Sequence, residues 1–217
     1  MKFVAKRRSP EQFETWKALA NDSWTPAYGD LKNPQKKIVH EALLNEQGWV
    51  CCYCGREIAQ HDSHIEHFRP QEAAPQLTLA FENLFASCIR EREPGAPLHC
   101  GHAKGNEFNE ASHISPLDPG CERRFLYTLE GAIRPADIDD GPAIYMTELL
   151  KLDLAFLRNR RQEVLASVFD IDFLSTASDD ELRRLAAACR KPDGQGKLTN
   201  FGHVIARYVE QLLGETA

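Results

Sequence analysis

Cys51 and Cys54, in the run Cys51-Cys52-Tyr53-Cys54-Gly55, have the C-x2-C spacing with which two thiolates grip one zinc ion from a tight turn. Gly55 suits the backbone conformation such a turn requires. A structural zinc site closes with four ligands. The candidates to complete it are Cys88 and Cys100, whose intervening residues 89–99 (IREREPGAPLH) are charged and rich in Pro and Gly and so belong in a surface loop. His99 or Cys121 could complete the set in place of Cys88, and Cys52 and Cys189 have no assigned role.

A second cluster, His64-Ile65-Glu66-His67-Phe68-Arg69-Pro70, packs metal-competent and titratable side chains into a few residues. In a regular strand Glu66 and His67 point to opposite faces. To reach one phosphate together they must sit where the strand ends or twists, and Pro70 fits such an ending. A third cluster comprises Glu82-Asn83-Leu84 and then Cys100-Gly101-His102-Ala103-Lys104-Gly105-Asn106. If a short helix starts near Gly101, His102 and Asn106 fall at i and i+4 on one face and can approach the same ion.

These residue types suit phosphodiester hydrolysis. The ester is anionic and its leaving alkoxide poor, so water must be activated and charge neutralised at the leaving oxygen. A histidine of ordinary pKa, about 6.5, is largely neutral at cytoplasmic pH and can take the proton from water. A Glu/His site with open positions admits Mg2+ or Mn2+, and its imidazoles are also compatible with Zn2+ or Ni2+.

The ordered series C-x2-C, E-H, E-N-L and C-x-H-x-K resembles the HNH endonuclease family. The segments EQGWVCCYCGREI, HIEHFRP, ENLFASC, CGHAKGN, ISPLDP and LLKLDLAFLRNRR look like the HNH subunit of Septu-type anti-phage systems and their retron-associated relatives, across nearly the whole chain. The resemblance implies a zinc-braced ββα-metal core in a bacterial defence nuclease that works with an ATPase subunit, with DNA favoured over RNA as substrate. Residue by residue, it makes His67 the general base, Glu66 the metal-binding position before it, and Asn83 the asparagine that orients the base. His102 best matches the third position of the motif. The family pattern has its His or Asn directly after the cysteine, whereas Gly101 intervenes here, so Asn106 stands as an alternate ligand.

Amphipathic helices flank these motifs, so the expected class is α+β: an N-terminal helical region (1–48), the zinc-braced core (49–135) and a C-terminal helical region (136–217). Ser9-Pro10-Glu11-Gln12 reads as an N-cap, a proline at the first helical position and a capping-box glutamine, leading Phe13, Trp16 and Ala20. A second helix opens at Asn33-Pro34, buries Ile38, Val39, Ala42 and Leu43, and ends at Gly48. Residues 124–133 suggest a hairpin turning at Glu130-Gly131. Beyond Pro142, Leu150, Leu154, Leu157, Val164, Leu165 and Val168 recur at helical spacing. Ser178 to Glu181 is a capping box, and a last helix carries Phe201, Val204, Ile205, Tyr208 and Leu212.

The chain of 217 residues, 42% hydrophobic, can bury a substantial core. No apolar run has the length of a signal peptide or a membrane span, so a cytoplasmic protein without membrane contact is expected. Seven cysteines, an odd number, favour metal over disulfides in such a chain. A net charge of −6 is unlike an electrostatic nucleic-acid binder. The local counterweights are Lys6-Arg7-Arg8, Lys36-Lys37, Arg123-Arg124 and Arg158 with Arg160-Arg161. The helical regions outside 49–135 are expected to supply a docking surface as well as core. The competing readings are a non-catalytic zinc adaptor, a hydrolase whose C-x2-C metal performs the catalysis, and a solitary HNH enzyme.

Overall fold

The computed structural model describes residues 1–89, 91 and 94–215. Two helices, α1 (Glu11–Lys17) and α2 (Gln35–Gln47), precede the strands β1 (Ser63–His67) and β2 (Leu84–Cys88). The one-turn helix α3 (Gly101–Lys104) follows, then β3 (Phe125–Tyr127) and β4 (Ile133–Pro135). Five helices complete the chain: α4 (Gly141–Leu149), α5 (Ala155–Val168), α6 (Ile171–Thr176), α7 (Asp179–Cys189) and α8 (Gly202–Leu212). The class is α+β, as expected.

Strands β1 and β2 pair antiparallel, with Glu66 opposite Phe85 and His67 opposite Leu84. Every residue of β2 is buried, which requires cover on both faces. Helix α2 gives one cover, and its Gln47 side chain behaves like a strand neighbour, donating to Ala86 O (2.8 Å) and accepting from Ala86 N (2.7 Å). Val39, Leu43 and Leu44 of α2 are fully buried beside it. One apolar cluster runs from Met1 and Phe13 through Leu84 and Phe85 to Leu157, Leu165 and Val209, so all three sequence regions share it. Among the described residues no helix is long and apolar enough to cross a membrane.

The expected hairpin is β3–β4, with Tyr127 opposite Ile133. The Ser178 capping box forms as expected, Ser178 accepting from Glu181 N and Glu181 from Ser178 N. The first helix differs. Pro10, not Ser9, is its N-cap, no side chain caps it, and it stops at Lys17 before Ala20. With Pro10 at the N-cap the third helical position is Phe13, which has no group to bond back, and proline has no N–H to receive such a bond.

Helix α8 leans on the turn that carries Cys51 and Cys54. Gly55, at φ +75°, accepts a hydrogen bond from Phe201 N (2.9 Å), and a Cβ at Gly55 would lie 2.1 Å from Cε1 of the buried His203.

Several side chains of the basic runs are paired within the chain. Lys6 pairs with Glu46, Arg124 with Asp140, Arg158 with Asp153 and Arg160 with Glu163. Arg161 is buried and donates to Gly131 O (2.6 Å) and Leu152 O (2.9 Å). Lys36 and Lys37 are exposed and line a cleft described below.

Candidate metal centre and active site

Cys51, Cys54, Cys88 and Cys100 converge, all buried, with their sulfurs within 4.8 Å of one another. Cys54 Sγ and Cys88 Sγ are 3.8 Å apart. A tetrahedral ion with Zn–S bonds of about 2.3 Å needs S···S separations of about 3.8 Å, so this donor set fits zinc. Each ligand comes from a different kind of position. Cys51 and Cys54 flank a turn closed by Gly55 N donating to Cys51 O (2.9 Å), Cys88 ends β2, and Cys100 opens α3 at φ +55°. The cluster therefore ties the hairpin, the turn and the short helix at one point.

Among the candidates to complete the set, His99 lies at the cluster's margin, its Nδ1 3.4 Å from Cys88 Sγ and 3.3 Å from Cys100 Sγ. Cys121 is not among the four convergent thiols. Without a cation the cluster shares one negative charge: burial pushes Cys51 up, but the surrounding thiols hold it well below its ordinary value, while burial pushes the Cys88 and Cys100 thiols well up. Of the loop expected at 89–99, Arg90, Arg92 and Glu93 lie outside the described residues, and Pro94 to Pro97 are exposed.

Gly101, the residue after Cys100, faces Glu66. A Cβ there would lie 2.4 Å from Glu66 Oε2 and 2.9 Å from His64 Nε2, so α3 approaches β1 this closely only with glycine at the contact. Glu66 is 7% exposed and has partners on both oxygens. Oε1 accepts from Tyr53 OH (3.1 Å) and pairs with Lys104 Nζ (3.0 Å), and Oε2 faces His64 Nε2 at 3.3 Å. Burial pushes the Glu66 carboxyl up, but contact with His64 and the Lys104 ammonium outweigh it and hold the group below its usual range. Glu66 is thus a buried carboxylate, suited to a hard cation.

His67 lies on the other side of β1, at its end. Its Nε2 is 3.0 Å from Thr78 O, to which it must donate, and this leaves the lone pair on Nδ1. The edge of its ring meets Tyr28 at a centroid distance of 4.4 Å. Burial pushes the imidazole below its usual pKa against the pull of the Thr78 carbonyl, so it is neutral at pH 7. Tyr28 is pushed up to about 12 by burial and by the charge of Glu66, so its phenol stays protonated.

The hydrogen bonds of the Asn83 side chain go not to His67 but to the loop that meets it. The side chain accepts from Arg69 N (2.8 Å) and donates to Arg69 O (3.0 Å) and Leu77 O (3.2 Å), pinning both ends of the segment that presents Thr78 O. Lys104 links the two faces, donating to His67 O (3.0 Å) while paired with Glu66.

His102 stacks on His64, with centroids 4.4 Å apart, and its Nε2 lies 3.0 Å from Ile89 O. Among the described residues the cysteines form the one set of three or more His, Cys, Asp or Glu ligand atoms mutually within 4.8 Å, so His102 does not close a triad with His64 and Glu66. Asn106 lies beyond α3, exposed, and the i, i+4 relation with His102 is not formed. Tyr53, His64, Lys104 and Tyr28 carry contacts that sequence reasoning left unassigned. The signal for His64 and Lys104 was their place inside the motif segments, whereas Tyr28 gave none.

A cleft of about 510 Å³ opens beside this site, lined by Tyr28, Asn33, Lys36, Lys37, His40 and His64 among others. It adjoins the ring that meets His67 and the imidazole that meets Glu66.

No family model matches the chain. A Vibrio cholerae (serotype O1 biovar El Tor) protein named "Retron Vc95 putative HNH endonuclease" is 28% identical over 137 residues, 61% of this chain and 64% of that protein. The chain therefore resembles the HNH endonuclease family in a defence-associated setting, and the alignment spans just under two thirds of the relative's length.

Proposed function

We propose that the protein is a metal-dependent HNH endonuclease that hydrolyses phosphodiester bonds, DNA before RNA, around a zinc-braced ββα core formed by β1, β2 and α3. The carrying observation is the junction at the end of β1, where a buried carboxylate (Glu66) and a neutral imidazole (His67) on consecutive residues are bridged by one lysine, Lys104. His67 takes a proton from water at Nδ1, and the Thr78 carbonyl stabilises the imidazolium that results. Glu66 holds a divalent ion, Mg2+ or Mn2+, which when bound would neutralise charge on the phosphate and the leaving oxygen. Lys36 and Lys37 offer cations to the nucleic-acid backbone along the cleft.

The zinc site braces this arrangement and does not perform the reaction. Four thiolates saturate a tetrahedral ion and leave no position for water, which disfavours the hydrolase whose C-x2-C metal is catalytic.

In this reading the chain is the nuclease subunit of a Septu-type anti-phage complex and acts with an ATPase. The support for the complex is its motif series and a net charge of −6 that leaves it little long-range attraction for DNA; the name of its V. cholerae relative supports the HNH nuclease in a retron setting. The test is nicking of supercoiled plasmid by purified protein, alone and co-expressed with the neighbouring ATPase, in Mg2+ and Mn2+. His67→Ala should abolish cleavage while zinc content and melting temperature are unchanged. Comparable turnover in His67→Ala would refute the base assignment, and a protein that cuts nothing in either state would leave the zinc adaptor.

A further inference from the structure

We propose that His64 is a direct ligand of the divalent cation, paired with Glu66, while His102 only positions it. The purpose of the ion rests on the nuclease reading; its placement rests on the geometry alone. His64 Nδ1 lies 2.6 Å from Ile89 O and must donate to it, so in the neutral ring the lone pair is on Nε2. That atom faces Glu66 Oε2 at 3.3 Å. Two acceptors are held at this distance only by a positive centre between them. Adjacent ligands on a cation with bonds of about 2.0–2.2 Å are separated by about 3.0–3.4 Å, which the pair matches.

Three further features agree. Oε1 of Glu66 is occupied by Tyr53 and Lys104, so Oε2 is the oxygen left for an ion. Gly101 packs against both atoms and leaves no room for a side chain, its Cβ falling 2.4 Å from Oε2 and 2.9 Å from Nε2, so no side chain from α3 comes between them. His64 lines the cleft that carries Lys36 and Lys37, so the remaining coordination positions would face arriving phosphate and water. His102, stacked on His64 and bonded to the same Ile89 carbonyl, fixes the ring plane as outer partners of metal-bound histidines do. The alternative is a protonated His64 in a plain ion pair with Glu66, which would involve no metal.

Electron-spin-echo measurement on the zinc-loaded full chain titrated with Mn2+ separates the two. The wild type should bind Mn2+ with an imidazole nitrogen coupled to the electron spin. His64→Leu should lose that coupling and weaken Mn2+ affinity roughly tenfold or more, while zinc content is retained and the Ile89 carbonyl keeps its bond to His102. His102→Leu should keep the coupling. Wild-type affinity and coupling in His64→Leu, or loss of coupling in His102→Leu alone, would overturn the assignment. If His64→Leu does not fold, the His102→Leu spectrum decides: a retained coupling supports His64, and a lost one refutes it. Coupling in the wild type without any cleavage would refute the nuclease reading and leave this ligand standing. Cleavage by a protein whose Mn2+ site is indifferent to His64 would refute this inference alone.

Discussion

Lys104 reaches across from α3 to hold the main chain of His67, donating to its carbonyl at 3.0 Å while the same ammonium pairs with Glu66. One buried cation therefore sets the spacing between the proposed metal ligand and the proposed base. Lys104→Met should leave the buried Glu66 charge with only Tyr53 and His64 beside it, at a cost of up to about 3 kcal/mol, and should lower cleavage with it. Urea unfolding gives the first quantity and plasmid nicking the second; wild-type stability would show that the ammonium is dispensable.

Gly101 tests the contact from the other side. Gly101→Ala places a methyl against Glu66 Oε2 and His64 Nε2, an overpacking that costs about 1–3 kcal/mol, and it should weaken Mn2+ binding in the same protein. Gly141→Ala, where an added Cβ meets nothing within 4 Å, is the control and should change neither. Equal behaviour of the two variants in melting and Mn2+ titration would contradict the close approach.

The four-thiol cluster should contribute folding energy outright. Cys54→Ser, or prolonged chelation of the wild type, is expected to remove zinc and lower the melting temperature before any effect on chemistry can be read. Metal analysis beside calorimetry checks this, and an equally stable zinc-free protein would remove the cluster from the structural account.

Glu122 supplies a pH signature remote from the metal centre. Burial pushes its carboxyl up, but the charges of Lys2 and Arg190 and the bond from Phe3 N bring it down, toward about 2 once His203, which burial holds neutral at pH 7, is also protonated. Because the folded value lies below the ordinary one near 4.5, the associated stability is present above pH 4.5 and is lost as pH falls toward 2. Glu122→Gln should thus cost up to about 3 kcal/mol at pH 7, with the gap to wild type shrinking below about pH 4.5. A gap that stays constant down to pH 3 in denaturant titrations would mean that Glu122 is not held ionised by its neighbours.

What could be read from the chain followed local periodicity and spacing. The C-x2-C turn, the hairpin anticipated at 124–133 and found at 125–135, and the Ser178 box depend on residues a few positions apart, and all three form. The parting of Glu66 and His67 was also legible, because strand alternation demands it and β1 ends at His67. Partners brought together by tertiary packing were not. Nothing local says that Lys6 lies over the Phe81 and Phe85 rings or that Arg161 is buried, so two members of the basic runs are internal while their neighbours Arg7, Arg8, Arg158 and Arg160 stay exposed. The pairing of Tyr53 and Lys104 on one carboxylate likewise joins segments 51 residues apart.

The contact between Gly55 and His203 bears on how such a protein can change over time. The turn carrying Cys51 and Cys54 is propped by a helix that begins almost 150 residues later, with no room for even a methyl group between them. The motif-bearing middle of the chain is therefore no portable cassette. A gene fusion or a stop codon that removed the last helix would strip one wall from the metal turn, and lineages that exchange their C-terminal third must bring in a segment that fits against the same glycine.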